Sequence, residues 1–225
     1  MEDLMVAKQI VTDEAQLGER CDEIDVRKDN KLVQEIVLAL KGTINEHKDT
    51  CLGLAANQIG YNKRIFCINF NGDVRTFINP MISEVKGFEL SRESCMSFPG
   101  KEYIRPRHNQ ITVMYQTPLG KTECRKLLGK AAIVFQHELD HLDGLTIADI
   151  GLEITPEFDN ADEQEKEQII KMYLDSLDLK QKDIDNEIEN DEHLKQTRDA
   201  INFMTDVATG KVKLEKYEKE NKTEE

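Results

Sequence analysis

Tryptophan is absent from this 225-residue chain, and the whole aromatic share is only 6%. That speaks against a broad stacking platform for single-stranded nucleic acid. No apolar run is long enough to read as a membrane span. The first residues, MEDLMVAKQ, lack the basic start of a secretory signal. The five cysteines (Cys21, Cys51, Cys67, Cys95 and Cys124) are odd in number, widely spaced and free of any CxxC pair. A disulfide framework is therefore not expected, and a reducing compartment is. Basic charge is scarce as well: 30 Lys and Arg face 44 Asp and Glu, a net of −14. Residues 1–150 hold 22 acids and 19 bases, net −3, whereas residues 151–225 hold 22 and 11, net −11. An acidic surface repels phosphate, which disfavours direct DNA or RNA binding and docking on an anionic membrane. The expectation is a soluble cytoplasmic protein.

Hydrophobic residues make up 39%, enough for one domain with room for an appendage. Val33, Ile36, Val37, Leu40 and Ile44 recur at steps of three and four. This predicts a helix over about 31–47, with Asp29 or Asn30 as its cap. KRIFCINF (63–70), Asn71-Gly72 and VRTFI (74–78) read as a β-hairpin, stopped by Asn79-Pro80. MISEV (81–85) and QITVMYQ (110–116) read as further strands. From Lys130 the chain changes to AAIVFQHELDHLDG, a buried helix that Gly144 ends. Strands followed by a core helix, with one helix before them, imply an α+β fold. Past residue 150, EQIIKMYLDSL (167–177) is amphipathic, 178–200 is mostly charged, INFMTDV (201–207) is a short apolar patch, and EKYEKENKTEE reads as disordered.

The sharpest chemical signal is His137-Glu138-Leu139-Asp140-His141. On a helix, positions i and i+4 share a face, so both imidazoles can meet one metal ion while Glu138 reaches its bound water. A hydrolytic metal needs a third protein ligand and an open position. His, Glu, Asp or Cys could supply that ligand, and Glu163 and Glu167 lie further along. No HxxGxxH extension follows, so the metzincin pattern is absent.

Three motifs stand in fixed order: Cys51-Leu-Gly53-Leu-Ala-Ala-Asn-Gln58, Glu93-Ser-Cys95-Met-Ser97 and His137-Glu-Leu-Asp-His141. Together they resemble the peptide deformylase family, over about residues 1–150. The resemblance implies antiparallel sheets packed around a central metal-binding HExxH helix; charge and periodicity past residue 150 add an acidic, mainly helical C-terminal extension. The chain would then divide into a catalytic domain (1–150), a C-terminal helix packing on it (151–180) and an acidic, partly disordered extension (181–225). The resemblance also implies removal of the formyl group from formyl-methionine at the N-terminus of nascent polypeptides.

By the same resemblance Cys95 joins His137 and His141 as metal ligand. The ion would be Fe2+, with Zn2+, Ni2+ or Co2+ able to take its place. Glu138 is the general base, and Gln58 with the Met96 N–H meets the oxyanion. Gly53 and Leu54 would pair with the substrate backbone. Leu52, Ile133, Val134 and His137 would line the pocket for the methionine side chain. Glu93 and Arg107 match an ion pair that braces the metal loop, and Asp140 would orient a ligand. Cys51 and Ser94 stand where the family has Gly, and a positive φ at either would reshape the groove. An acidic tail makes docking on ribosomal RNA unlike that of relatives with basic tails, so contact with the ribosome would be indirect. Two other readings fit parts of the pattern: a HExxH zinc endopeptidase, and a non-catalytic module that holds peptide N-termini.

Overall fold

The computed structural model describes residues 7–190, with side chains to Leu177. INFMTDV and the final charged stretch lie outside the described residues, as does most of the 181–225 extension. A short helix, α1 (Glu14–Leu17), is capped by Asp13, whose carboxylate accepts from the N–H groups of Ala15 and Gln16. Helix α2 (Asn30–Glu46) matches the periodicity, but Asp29 at its start makes no side-chain capping bond. Strand β1 (Gly53–Ala55) and a 3-10 turn (Ala56–Ile59) lead into β2 (Ile65–Phe70).

The hairpin forms at Asn71-Gly72, which take φ 53° and 95°. Such values are those of a tight turn that asparagine and glycine tolerate. Its return strand does not stop at Asn79-Pro80. Strand β3 runs Asp73–Lys86, with its register to the neighbouring strand shifting between Ile78 and Met81. Asn79 takes φ 46° there. Its side chain accepts from Ile24 N–H (3.1 Å) and donates to Ile24 C=O (2.8 Å) and Gln116 Oε1 (2.9 Å). A bulge lets the ladder pass a proline that cannot donate to it.

Four further strands are β4 (Glu89–Glu93), β5 (Tyr103–Arg107), β6 (Gln110–Gln116) and β7 (Thr122–Leu128). Helix α3 (Lys130–Leu142) carries HELDH, and Gly144 at φ 73° turns the chain away. A one-turn helix α4 (Ile147–Ile150) and β8 (Leu152–Glu153) follow. One antiparallel sheet has the order β1-β2-β3-β6-β7, and a second has β4-β5-β8. The chain divides into two units, Met1–Thr155 and Pro156–Glu225. The second contains α5 (Pro156–Asn160) and α6 (Glu163–Asn190). The helical segment expected to end near 177 thus continues to Asn190.

Strand β2 is apolar at successive positions because both its faces are covered. Ile65 and Cys67 join the core formed with α2, including Val33, Ile36 and Leu40. Phe66 and Ile68 join the core under α3. There Phe66, Phe77 and Phe135 meet with ring centroids 5.0–5.2 Å apart. Such aromatic pairs contribute about 0.5–1.5 kcal/mol each beyond their buried area. This packing fixes the rotation of α3, and so decides which of its side chains face the groove.

Candidate active site

Helix α3 brings His137 and His141 to one face, with ring centroids 5.2 Å apart. Cys95 lies just past β4, in a turn closed by the Phe98 N–H on the Cys95 carbonyl at 3.0 Å. Its Sγ is 3.2 Å from His141 Nε2. The donor atoms of Cys95, His137 and His141 all lie within 4.8 Å of one another, the group of this kind among the described residues. Metal bonds of about 2.3 Å to sulfur and about 2.0 Å to nitrogen fit inside such a triangle. Glu163 and Glu167 are not part of it.

Glu93 and Arg107 brace this group, and both are buried. Arg107 donates from Nε and Nη2 to the two Glu93 oxygens (2.8 and 3.0 Å) and from Nη1 to Asp140 (2.6 Å). Glu93 also meets His137 Nδ1 at 2.8 Å, which leaves the Nε2 side free for a ligating role. Burial pushes the Glu93 carboxyl up, but the hydrogen bonds from His137 and Arg107 outweigh it and hold it at about 2. Burial would lower His137, yet its bonds to Cys95 and Glu93 keep it well above the usual histidine value. Burial, helped by the His137 and Arg107 cations, drives His141 well below that value. His141 is thus a neutral imidazole, the form that ligates metals.

Glu138 is 3% exposed, and burial raises its carboxyl to about 7. Its Oε2 has no hydrogen-bond partner, nor has His141 Nδ1. A buried carboxylate oxygen with no partner is costly unless something polar or cationic meets it. These features fit a cation and a bound water in the site.

Gln58 is held on both sides of its amide. Its Oε1 accepts from Ala55 N–H at 2.9 Å, and its Nε2 donates to Ser97 Oγ (3.1 Å) and Cys95 Sγ (3.4 Å). Sequence reasoning passed over Ser97, although it closes the Glu93–Ser97 motif. It also missed Asn57, whose amide donates to the His141 carbonyl at 2.8 Å.

A cavity of about 690 Å³ opens beside these groups, lined by Gly53, Leu52, Met96, Ile133, Val134 and Glu138 among others. The Leu54 side chain is fully buried in the α2 core and does not line the cavity, so only its backbone is available for the role the resemblance implies. Side chains alternate along a strand, so a groove-facing Gly53 puts Leu54 on the opposite side. Gly53 has a steric reason: a Cβ there would stand 2.5 Å from Glu138 Oε1 and 2.8 Å from Val134 Cγ1. Neither Cys51 nor Ser94 has positive φ, so neither position demands glycine. The Cys51 thiol, kept protonated at about 12 chiefly by burial, donates to the Gly53 carbonyl at 3.1 Å.

The polypeptide deformylase family profile matches residues 7–154. The peptide deformylase of Dictyoglomus turgidum is 34% identical over 138 residues, covering 61% of this chain and 90% of that protein. That of Thermotoga maritima is 38% identical over 130 residues, covering 55% and 79%. The crystal structure of the Thermotoga maritima enzyme superposes with a TM-score of 0.59 at 32% identity, covering 67% of this chain and 99% of that one. The match spans all three motifs and both sheets, and this chain belongs to the polypeptide deformylase family.

Proposed function

We propose that this hydrolase removes the formyl group from formyl-methionine at the N-terminus of nascent polypeptides, releasing formate, with Cys95, His137 and His141 holding one divalent metal ion. The observation that carries the ligand set is the convergence of one thiol and two imidazoles within 4.8 Å, beside a buried carboxylate. A cysteine and two imidazoles, with His137 giving up its proton on metal binding, suit a first-row divalent ion, and Fe2+ is our assignment, with Zn2+, Ni2+ and Co2+ as substitutes. When bound, the metal would supply Lewis-acid polarisation of the formyl oxygen and an acidified water.

The remaining work falls to side chains of this chain. Glu138 takes the proton of the attacking water on a carboxylate oxygen and later delivers it to the departing amine. A carboxyl near 7 is poised for both steps, and a neighbouring dication would move it lower. Gln58 Nε2 and the Met96 N–H meet the negative charge that develops on the formyl oxygen. Strand β1 is the edge of its sheet. The Asn69 N–H donates to the Leu52 carbonyl at 2.8 Å, so alternation turns the polar groups of Gly53 toward the open edge. An extended peptide can add there as a strand. Leu52, Ile133 and Val134 then surround the methionine side chain. Glu93, with Arg107 and Asp140 behind it, fixes the His137 ring.

The three-part division of the chain, with a catalytic part to 150, a helix over 151–180 and an acidic remainder, belongs to the same proposal. So do a cytoplasmic location and only indirect contact with the ribosome. Among the described residues no helix is long and apolar enough to cross a membrane.

Replacing Cys95 by Ala separates this reading from a HExxH endopeptidase. Metal analysis after dialysis should show that Cys95→Ala has lost its ion. Full retention would mean that a distant carboxylate is the third ligand and that the deformylase ligand set is wrong.

A further inference from the structure

We propose that the outer end of the substrate groove is an anion subsite, in which Lys130 and Ser91 select an acidic side chain at the second or third residue of the formyl-peptide. The inference rests on the deformylase reading.

Lys130 opens α3 and lines the cavity, and it is exposed. Among the described residues it has no ion-pair partner. The other cation on that wall, Arg92, is held by Glu102. Lys130 is therefore the uncommitted positive charge of the groove, in a protein whose net charge is −14. An unpaired cation beside a substrate path attracts anionic groups.

Ser91 adds an independent sign. The residue is only 8% exposed, but it lines the cavity and its hydroxyl is open to the groove. Side chains two apart on a strand share a face. Glu93 points from β4 to His137, so Ser91 shares the face of β4 that lines the cavity. The α3 side of the same cavity presents Val134, Ile133 and Lys130, the stripe that precedes His137 by whole helical turns. A hydroxyl open to the groove can donate to a carboxylate that enters it. No side chain caps α3, so the positive end of its dipole faces the same corner.

Distance fixes which substrate residue arrives. Lys130 precedes His137 by seven residues, about 10 Å along the helix axis. An extended peptide advances about 3.3 Å per residue. Gly53 stands level with Val134 and Glu138, and Thr50 lines the cavity further out along the same chain direction. A peptide leaving the metal site along the β1 edge thus brings its second or third side chain toward Lys130. The next β4 side chain on that face, Glu89, is exposed, outside the cavity lining and not paired with Lys130.

The test compares kcat/KM for formyl-Met-Ala-Ser, formyl-Met-Glu-Ser, formyl-Met-Ala-Glu and formyl-Met-Lys-Ser. Proteins are the metal-loaded full chain, Lys130→Met, Lys130→Glu and Ser91→Ala. An exposed ion pair of ordinary strength predicts that the better acidic peptide exceeds the neutral one by about 1.5-fold to fivefold, mainly through KM. The ratio should fall to near one in Lys130→Met, invert in Lys130→Glu and drop part-way in Ser91→Ala. High salt should compress it, because exposed charge is screened. Calorimetric binding of the product peptides Met-Ala-Glu, Met-Glu-Ser and Met-Ala-Ser reads the same preference without turnover. Equal handling of acidic and neutral peptides by the unaltered protein, or a preference that survives Lys130→Met, would overturn the subsite. Formate from none of the peptides would instead sink the deformylase reading, and the product-binding preference would still decide the subsite.

Discussion

Gly53 makes the tightest demand of any single residue in the site. A methyl group there would meet the Glu138 carboxylate at 2.5 Å and Val134 at 2.8 Å. Gly53→Ala should leave the circular dichroism spectrum unchanged while lowering kcat/KM on the order of a hundredfold, since displacement of about 1 Å in a reacting group can cost that much. Wild-type turnover in this variant would mean that Glu138 is not confined as described. Glu93 supplies a pH prediction. Its folded value of about 2 lies below the ordinary 4.5, so its contribution to stability is complete above 4.5 and fades as pH falls toward 2. Metal-free protein should lose urea resistance more steeply across that window than a Glu93→Gln variant, and parallel curves would contradict the buried pair. At this scale the motif residues were legible because their spacing is local: His137 and His141 share a helix face whatever surrounds the helix. Ser97, Ser91 and Lys130 were not, because their meaning depends on which strand faces which turn of α3.

Among the elements, β3 departs most from the sequence pattern. Asn79-Pro80 carries a stop signal, yet the side chain of Asn79 replaces the missing ladder bonds with three of its own. Asn79→Ala keeps the positive φ, which costs about 1–2 kcal/mol for an ordinary residue, and loses those bonds at about 1 kcal/mol each. The urea midpoint should fall by an amount equivalent to about 4–5 kcal/mol with the slope unchanged. A midpoint within error of wild type would show that the bulge is held by other contacts. The helices α2 and α3 were legible because their apolar stripes are regular. Strands β4, β5 and β7 were not, since ELSRE, YIRPR and TECRKLL carry many charged and polar side chains and their pairing is decided by partners far along the chain.

On the scale of the whole molecule, the change of charge near residue 150 lies close to the division at Thr155 between the two units. The family match also ends there, at residue 154. The mixed α/β character and antiparallel pairing followed from the sequence pattern, and the order of strands in the two sheets did not. The central claim is that the first unit places a base, Glu138, beside a metal held by Cys95, His137 and His141, and cleaves formyl-peptides with them. Formate release from formyl-Met-Ala-Ser tests it most directly, using oxygen-free protein loaded with ferrous iron or nickel, beside a Glu138→Ala control of equal metal content. Turnover in the first and none in the second is the predicted result. No formate from fully loaded wild-type protein, or equal rates in both, would contradict it.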